Sequence, residues 1–415
     1  MPSAYIKLTI SNNRRLVILF YQLISSIGVG VISFALSIFI AREAGASHFG
    51  LYSTALAIGS ILVIVFDGGM RNLLTRERTR ASEHLSRIQE GLPNIAMGHS
   101  LIAAILTSII LLIAFPDQLY LGLGIIWCFW GAVITQYASA MLRGDGLLKT
   151  DALWQLKQRG FTAFLMANTI FLGYFEAWQL LLTWAVGALC ANLFFKEGFR
   201  FKPFFNPLLS SEPKLYRMLL PLFWIDLATT IYFRSDLIIL KSFQVSDTDI
   251  GQYAAAYRFI EASILITSPI SIIIFRKVRL LYEERLLQKK FIVKSLFISV
   301  LFGLLGAAII AWIANPLVRL TYGAQYAQAA TLLSILVWMI ILLIPNAVLT
   351  QTALALNLEK SYAFVATLAA ISNITLNLIF IPQYGILAAA YTSIATELIL
   401  LIGLSTSIFN KIKDR

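Results

Sequence analysis

Five charged residues sit where a lipid-facing helix could not keep them. Asp226, Arg234 and Asp236 fall in one long apolar run, and Arg258 and Glu261 in the next. A charge within a membrane-spanning run costs roughly 2.5–3.5 kcal/mol on insertion scales, so such residues face a protein interior or water. Arg258 and Glu261 are three positions apart and share a helix face. Guanidinium groups pair strongly with phosphate oxygens, so Arg234 and Arg258 could hold an anion while Asp236 and Glu261 tune or release them. The plainer alternative is ion pairing that fixes helix packing, Arg234 with Asp236 or Arg258 with Glu261. Arg42 ends the first apolar run; it either guides a substrate or snorkels to the interface.

Asp226 and Glu397 read as lone acids near mid-membrane. Burial favours the protonated form of a carboxyl, so either could bind a coupling H⁺ or Na⁺. Asn373 and Asn377, one turn apart, could add oxygens for Na⁺ or contacts for sugar, or simply bond between helices. Asp67 precedes a Gly-Gly pair and is expected to cap or to pair with Arg71. Trp127, Trp130, Trp154, Trp178, Trp184 and Trp224 suit interface belts or packing, with sugar stacking at one or two of them. Other chemistry is weakly signalled. In the stretch Gly144 to Thr150, Leu148 stands before Lys149-Thr150 where a phosphate loop needs glycine. His48, His84, His99, Cys128 and Cys190 have no ligand spacing, so no metal, cofactor or catalytic set is expected.

The elements that must position these groups are apolar helices. Hydrophobic residues form 59% of the 415-residue chain and charged residues 13%, about half the charged share of a soluble domain. Twelve runs approach the roughly 20 residues needed to cross a bilayer: 16–40, 49–69, 93–114, 119–141, 159–174, 178–195, 218–240, 251–275, 291–313, 327–349, 361–381 and 386–408. The chain is thus expected to be an all-α polytopic membrane protein with about 12 transmembrane helices. Of its 33 Lys and Arg, 27 fall in alternate gaps and three, Arg42, Lys241 and Arg319, in the others. That bias predicts cytoplasmic N- and C-termini, and it explains the net charge of +12 by topology and anionic lipid rather than nucleic acid. Segment 147–156, rich in Leu with Trp154, suits the membrane surface. No gap could hold a catalytic domain.

The chain also repeats. Gly50-Leu51-Tyr52 opens the second run and Gly251-Gln252-Tyr253 the eighth, 201 residues later, and a basic cluster follows each. Two parallel six-helix lobes, 1–200 and 201–415, follow from this, with a central cavity between them and rocking as the motion.

The stretch from Ala41 to Glu77 resembles the first hairpin of bacterial polysaccharide transporters, the Wzx-type flippases of the multidrug/oligosaccharidyl-lipid/polysaccharide exporter superfamily. The shared pattern is Arg42, Gly45, Phe49, Gly50, Tyr52, Asp67 and Gly68; residues 226–243 and 249–261 resemble that family's seventh and eighth helices. The resemblance implies a non-enzymatic transporter in the bacterial inner membrane. By alternating access it would move isoprenoid-diphosphate-linked repeat units of O-antigen or capsule to the outer leaflet. It leaves open whether a polysaccharide polymerase or chain-length regulator docks with it. Related peptidoglycan-precursor flippases carry 14 helices, whereas 12 are expected here. Two other readings share part of the pattern: a multidrug-type antiporter, whose pocket should be acidic or aromatic, and a membrane glycosyltransferase or polymerase, which should have a large outer loop.

Overall fold

The computed structural model describes residues 12–79, 86–197 and 213–413. These form α1 (Asn12–Asp67), α2 (Met70–Thr79), α3 (Ser86–Ala114), α4 (Leu119–Gly144), α5 (Leu148–Phe171) and α6 (Ala177–Phe194). They continue as α7 (Pro213–Ser242), α8 (Asp247–Leu280), α9 (Arg285–Thr321), α10 (Ala327–Leu336), α11 (Ile340–Ala355) and α12 (Glu359–Lys413). No strand occurs among the described residues.

Two of these helices are hairpins. α1 breaks at Gly45 (φ 80°) and α12 at Gly385 (φ 55°), backbone angles that glycine reaches without the Cβ penalty. Ser33 and Ser60 line the same hollow, although a straight helix would hold them about 40 Å apart. Likewise Asn373 Nδ2 donates to Thr396 Oγ1 at 3.3 Å across the turn of α12. α10 and α11 make one pass through the 3₁₀ turn Val337–Met339. This irregularity lies upstream of Pro345, which sits inside α11. α2 is a short helix on the basic face. Twelve passes result among the described residues.

Seven helical stretches are long and apolar enough to cross a membrane by length and composition. α5, α7 and α8 do not pass that test, yet their 24, 30 and 34 residues span about 36–51 Å. Their mid-helix charges, Arg159, Asp226, Arg234, Asp236, Arg258 and Glu261, face inward instead. α3 and α9 turn apolar side chains outward: Ile110 is 61% exposed and Trp312 87%. So large an uncovered apolar belt belongs in lipid. This is a multi-pass membrane protein.

α1 to α6 pack among themselves, as do α7 to α12, and the sets meet chiefly where α1 crosses α7 and α8. The expected boundary between residues 200 and 201 lies outside the described residues. On the face opposite the basic loops, the two repeat glycines cross. A Cβ on Gly50 would lie 1.9 Å from Asp247 O, and one on Gly251 would lie 2.0 Å from Ala46 O. Ala46 and Asp247 are themselves 201 residues apart, so the crossing is pseudo-twofold. Tyr326 Oη donates to Ala41 O (2.9 Å) beside it.

Segment 147–156 is a correction. It is the first part of α5, with Trp154 1% exposed and its Nε1 donating to Thr135 O at 3.3 Å. A helix lining a wet interior and a helix lying on a membrane have the same two-faced pattern.

Candidate functional site

A connected hollow runs between the two sets of helices around Trp184. Its largest part, about 710 Å³, is lined by Ser60, Gln136, Asp226, Thr229, Arg234 and Glu261 among others. A second part of about 210 Å³ gathers Ser33, Ser37, Arg159, Arg234 and Arg258, and a third of about 240 Å³ extends along α4 and α5.

Helical spacing builds each wall. On α7, Asp226, Thr229, Thr230, Phe233 and Arg234 repeat every three or four residues and all line the hollow, which is one helix face. Phe129, Ala132, Gln136, Ser139 and Arg143 do the same on α4. The residues on the opposite face of α7 enter the C-terminal lobe.

Glu261 joins the two expected arginines: Arg234 Nη1 donates to Oε1 at 2.5 Å and Arg258 Nη1 to Oε2 at 2.6 Å. The Arg258–Glu261 pair is therefore present, but the Arg234–Asp236 pair is not. Residues two apart on a helix point nearly opposite ways. Asp236 lies 3% exposed in the lobe core and accepts from Tyr253 Oη (2.8 Å), Ser393 Oγ (2.7 Å) and Asn377 Nδ2 (2.7 Å). It cannot touch anything bound in the hollow as the structure stands. Asn377 also donates to Asn373 Oδ1 (2.9 Å), which accepts from Ser235 Oγ (2.6 Å). Six polar side chains thus satisfy one another between α7, α8 and α12, as a buried network must.

Asp226 is not a lone acid. Arg71 Nη2 (3.2 Å) and Asn72 Nδ2 (3.3 Å) both donate to it from the N-terminal lobe, making a link between lobes near the basic face. Glu397 is 1% exposed and accepts from Tyr232 Oη and from Asn346 Nδ2 at 2.5 Å, with no cation paired to it among the described residues. It lines a separate cavity of about 230 Å³ within the C-terminal lobe. Arg42, at the end of the first pass, does not line the hollow. Its Nη1 reaches Leu320 O (3.4 Å) and Thr321 O (3.5 Å) at the end of α9, a favourable place for a cation outside the hollow. Asp67 caps, accepting from Arg71 N (2.9 Å) and Gly69 N (3.1 Å).

The run expected to begin at residue 159 starts earlier: α5 begins eleven residues before Arg159 and carries it into the hollow. Its Nε donates to Ser33 Oγ at 2.8 Å and its guanidinium lies 4.6 Å from the centroid of Trp184. The available signal was the polar spacing Gln155, Gln158, Arg159 ahead of the apolar run. In all, Arg71, Arg143, Arg159, Arg234 and Arg258 line the hollow against Asp226 and Glu261, and with Asp151 paired to Arg143 behind the wall the balance is +2. Such a lining attracts an anion and disfavours a cation.

Three solved structures show the same fold at low identity. A lipid II flippase, MurJ, in an inward closed conformation superposes with a TM-score of 0.77 at 14% identity, over 96% of this chain and 89% of that one. An inward-facing MATE-family multidrug resistance transporter of the MOP superfamily gives 0.70 at 14% identity, over 96% and 99%. A MOP superfamily transporter from Pyrococcus furiosus, described by the reversed polarity of its binding pocket, gives 0.57 at 15%, over 96% and 94%. No curated protein matches the sequence. The family described as polysaccharide biosynthesis protein matches residues 18–275, more than half of the chain. This chain belongs to the polysaccharide biosynthesis protein family and has the fold of the exporter superfamily that its first hairpin resembles.

Proposed function

We propose that this protein is a flippase for isoprenoid-diphosphate-linked oligosaccharide. It would carry repeat units of O-antigen or capsule from the cytoplasmic to the outer leaflet of the bacterial inner membrane. The observation that carries the reading is the cationic hollow between the lobes, where Arg159, Arg234 and Arg258 converge. A diphosphate cannot cross hydrocarbon with its charge, and three guanidinium groups in a wet seam replace its lost hydration. The isoprenoid tail stays in lipid while the lobes rock. The net positive lining argues against export of cationic drugs.

Reconstituted vesicles carrying a fluorescent isoprenoid-diphosphate oligosaccharide test this. Arg159→Ala, Arg234→Ala and Arg258→Ala should each slow translocation at least about 10-fold, the value of one charge-assisted hydrogen bond. Undiminished rates at normal protein levels would remove the arginines from the mechanism.

The coupling ion, H⁺ or Na⁺, we assign to the C-terminal lobe, at Asp236 with Asn373 and Asn377 or at Glu397. Asp226 ranks behind them, because Arg71 already pairs with it at 3.2 Å. Ionophores that collapse each gradient separately identify the ion. Asp236→Asn or Glu397→Gln should then abolish the dependence on that gradient while diphosphate binding persists. Dependence retained in both variants would place coupling elsewhere.

A further inference from the structure

The third part of the hollow differs chemically from the other two. It is bounded by α1, α4, α5 and α6, and holds Gln136, Gln155, Gln158, Ser139, Arg143 and Trp184. Its one charge besides Arg159 is cancelled. Arg143 Nε lies 3.3 Å from Asp151 Oδ2, a carboxylate with no exposed side-chain surface, and Arg143 Nη2 donates to Ser139 Oγ at 2.9 Å. What remains is amide, hydroxyl and aromatic surface.

Each of the three amides has one atom without a bonding partner among the described residues. Gln155 Nε2 donates to Asp151 Oδ2 (2.9 Å) and Gln158 Nε2 to Thr162 Oγ1 (3.4 Å), while Gln136 Oε1 accepts from Arg71 Nη1 (3.0 Å). Among the described residues, no partner bonds Gln155 Oε1, Gln158 Oε1 or Gln136 Nε2. Two acceptors and a donor beside an indole suit a ring bearing several hydroxyls, each of which both donates and accepts. A volume of about 240 Å³ is smaller than the roughly 300–1,000 Å³ of sites for drug-sized ligands. It takes one ring rather than a whole repeat unit.

The amide and arginine parts share Ser33, Arg159 and Trp184 as a common wall. An anion on Arg159 therefore puts its next substituent among the glutamines. We infer that this amide-lined recess is a saccharide subsite for one uncharged pyranose, the sugar joined directly to the diphosphate. The inference rests on the reading of the arginines as the diphosphate site and adds recognition of the sugar by the N-terminal lobe.

Two short-chain isoprenyl diphosphates test it, one bearing a single N-acetylhexosamine and one without sugar, each titrated onto the full-length protein in nanodiscs. Gln158→Leu, and more strongly Gln155→Leu with Gln158→Leu, should weaken the glycosylated probe, by about 10-fold in the double variant as expected for lost neutral hydrogen bonds. The sugar-free probe should change by less than about 2-fold. Wild type should also prefer the glycosylated probe. Equal affinity of wild type for both probes, or equal losses on both in the variants, overturns the subsite and leaves the diphosphate reading standing. Failure of wild type to bind either probe overturns both. Unchanged melting temperature in Gln158→Leu confirms that the readout is recognition rather than folding.

Discussion

Replacing Gly50 or Gly251 by alanine should stop translocation while leaving the protein folded in the membrane. Each Cβ would land about 2 Å from a carbonyl oxygen of the other lobe, Asp247 O or Ala46 O. Those oxygens are backbone atoms near a helix start, so no side-chain rotation relieves the clash; the lobes must part at this face. Overpacking of this kind costs about 1–3 kcal/mol, and the cost falls only on the state in which the face is shut. A penalty of that size shifts the equilibrium between states about 5- to 150-fold. Spin labels at Ser47 and Thr248, which flank the crossing, should report a longer distance in Gly50→Ala than in wild type. Gly306→Ala is the control, since a Cβ there meets nothing within 4 Å, and it should transport normally. Wild-type rates in both alanine variants would mean that the crossing never has to close during transport.

That crossing also shows what a sequence of this kind discloses. Gly50 and Gly251 were visible as a repeat because each opens a helix at the same point of a copied unit, and their backbone role preserved the residue type. Helix count and the inward charges of α7 and α8 were visible for a similar reason, since lipid tolerates few exceptions to an apolar run. Contacts between lobes were not. Asp226 looked solitary because its partner, Arg71, is 155 positions away and appeared to belong to a cytoplasmic loop. Arg159 is hidden in the same way, because it opens the expected run 159–174 and a cation at the end of an apolar run reads as loop. The polar positions early in α5 line the hollow, so they carry the composition of a surface.

The copies have also diverged where it matters. Ser33 and Ser60 stand 201 residues before Arg234 and Glu261, and all four line the hollow. The C-terminal copy supplies its charges on α7 and α8. The N-terminal copy holds serines at those places and supplies Arg159 from α5. A cation from each lobe thus faces the same space, and rocking of the lobes would change the distance between them. An anion bridging Arg159 to Arg234 and Arg258 would bind most tightly when the lobes are close around it, which ties its grip to the motion.

Glu261→Gln should tighten binding of the diphosphate lipid and slow its release. In the structure Glu261 occupies two arginines at once, at 2.5 and 2.6 Å, so an incoming diphosphate must displace it. Its side chain is 22% exposed and those of Arg234 and Arg258 are 28% and 20% exposed. Water in the hollow screens the group, which lowers the stability cost of losing the charge well below the roughly 3–5 kcal/mol of a dry pair. Glutamine keeps the shape and removes the competitor, raising the balance in the hollow from +2 to +3. Affinity should rise at least about 10-fold, because a charge-assisted hydrogen bond no longer has to be broken. Translocation should fall, because Glu261 no longer returns to the arginines to expel the product. Equilibrium binding and single-turnover flipping on the same vesicles separate these effects. A purely structural Glu261 predicts the opposite pattern: binding and melting temperature decline together as the arginines repel each other.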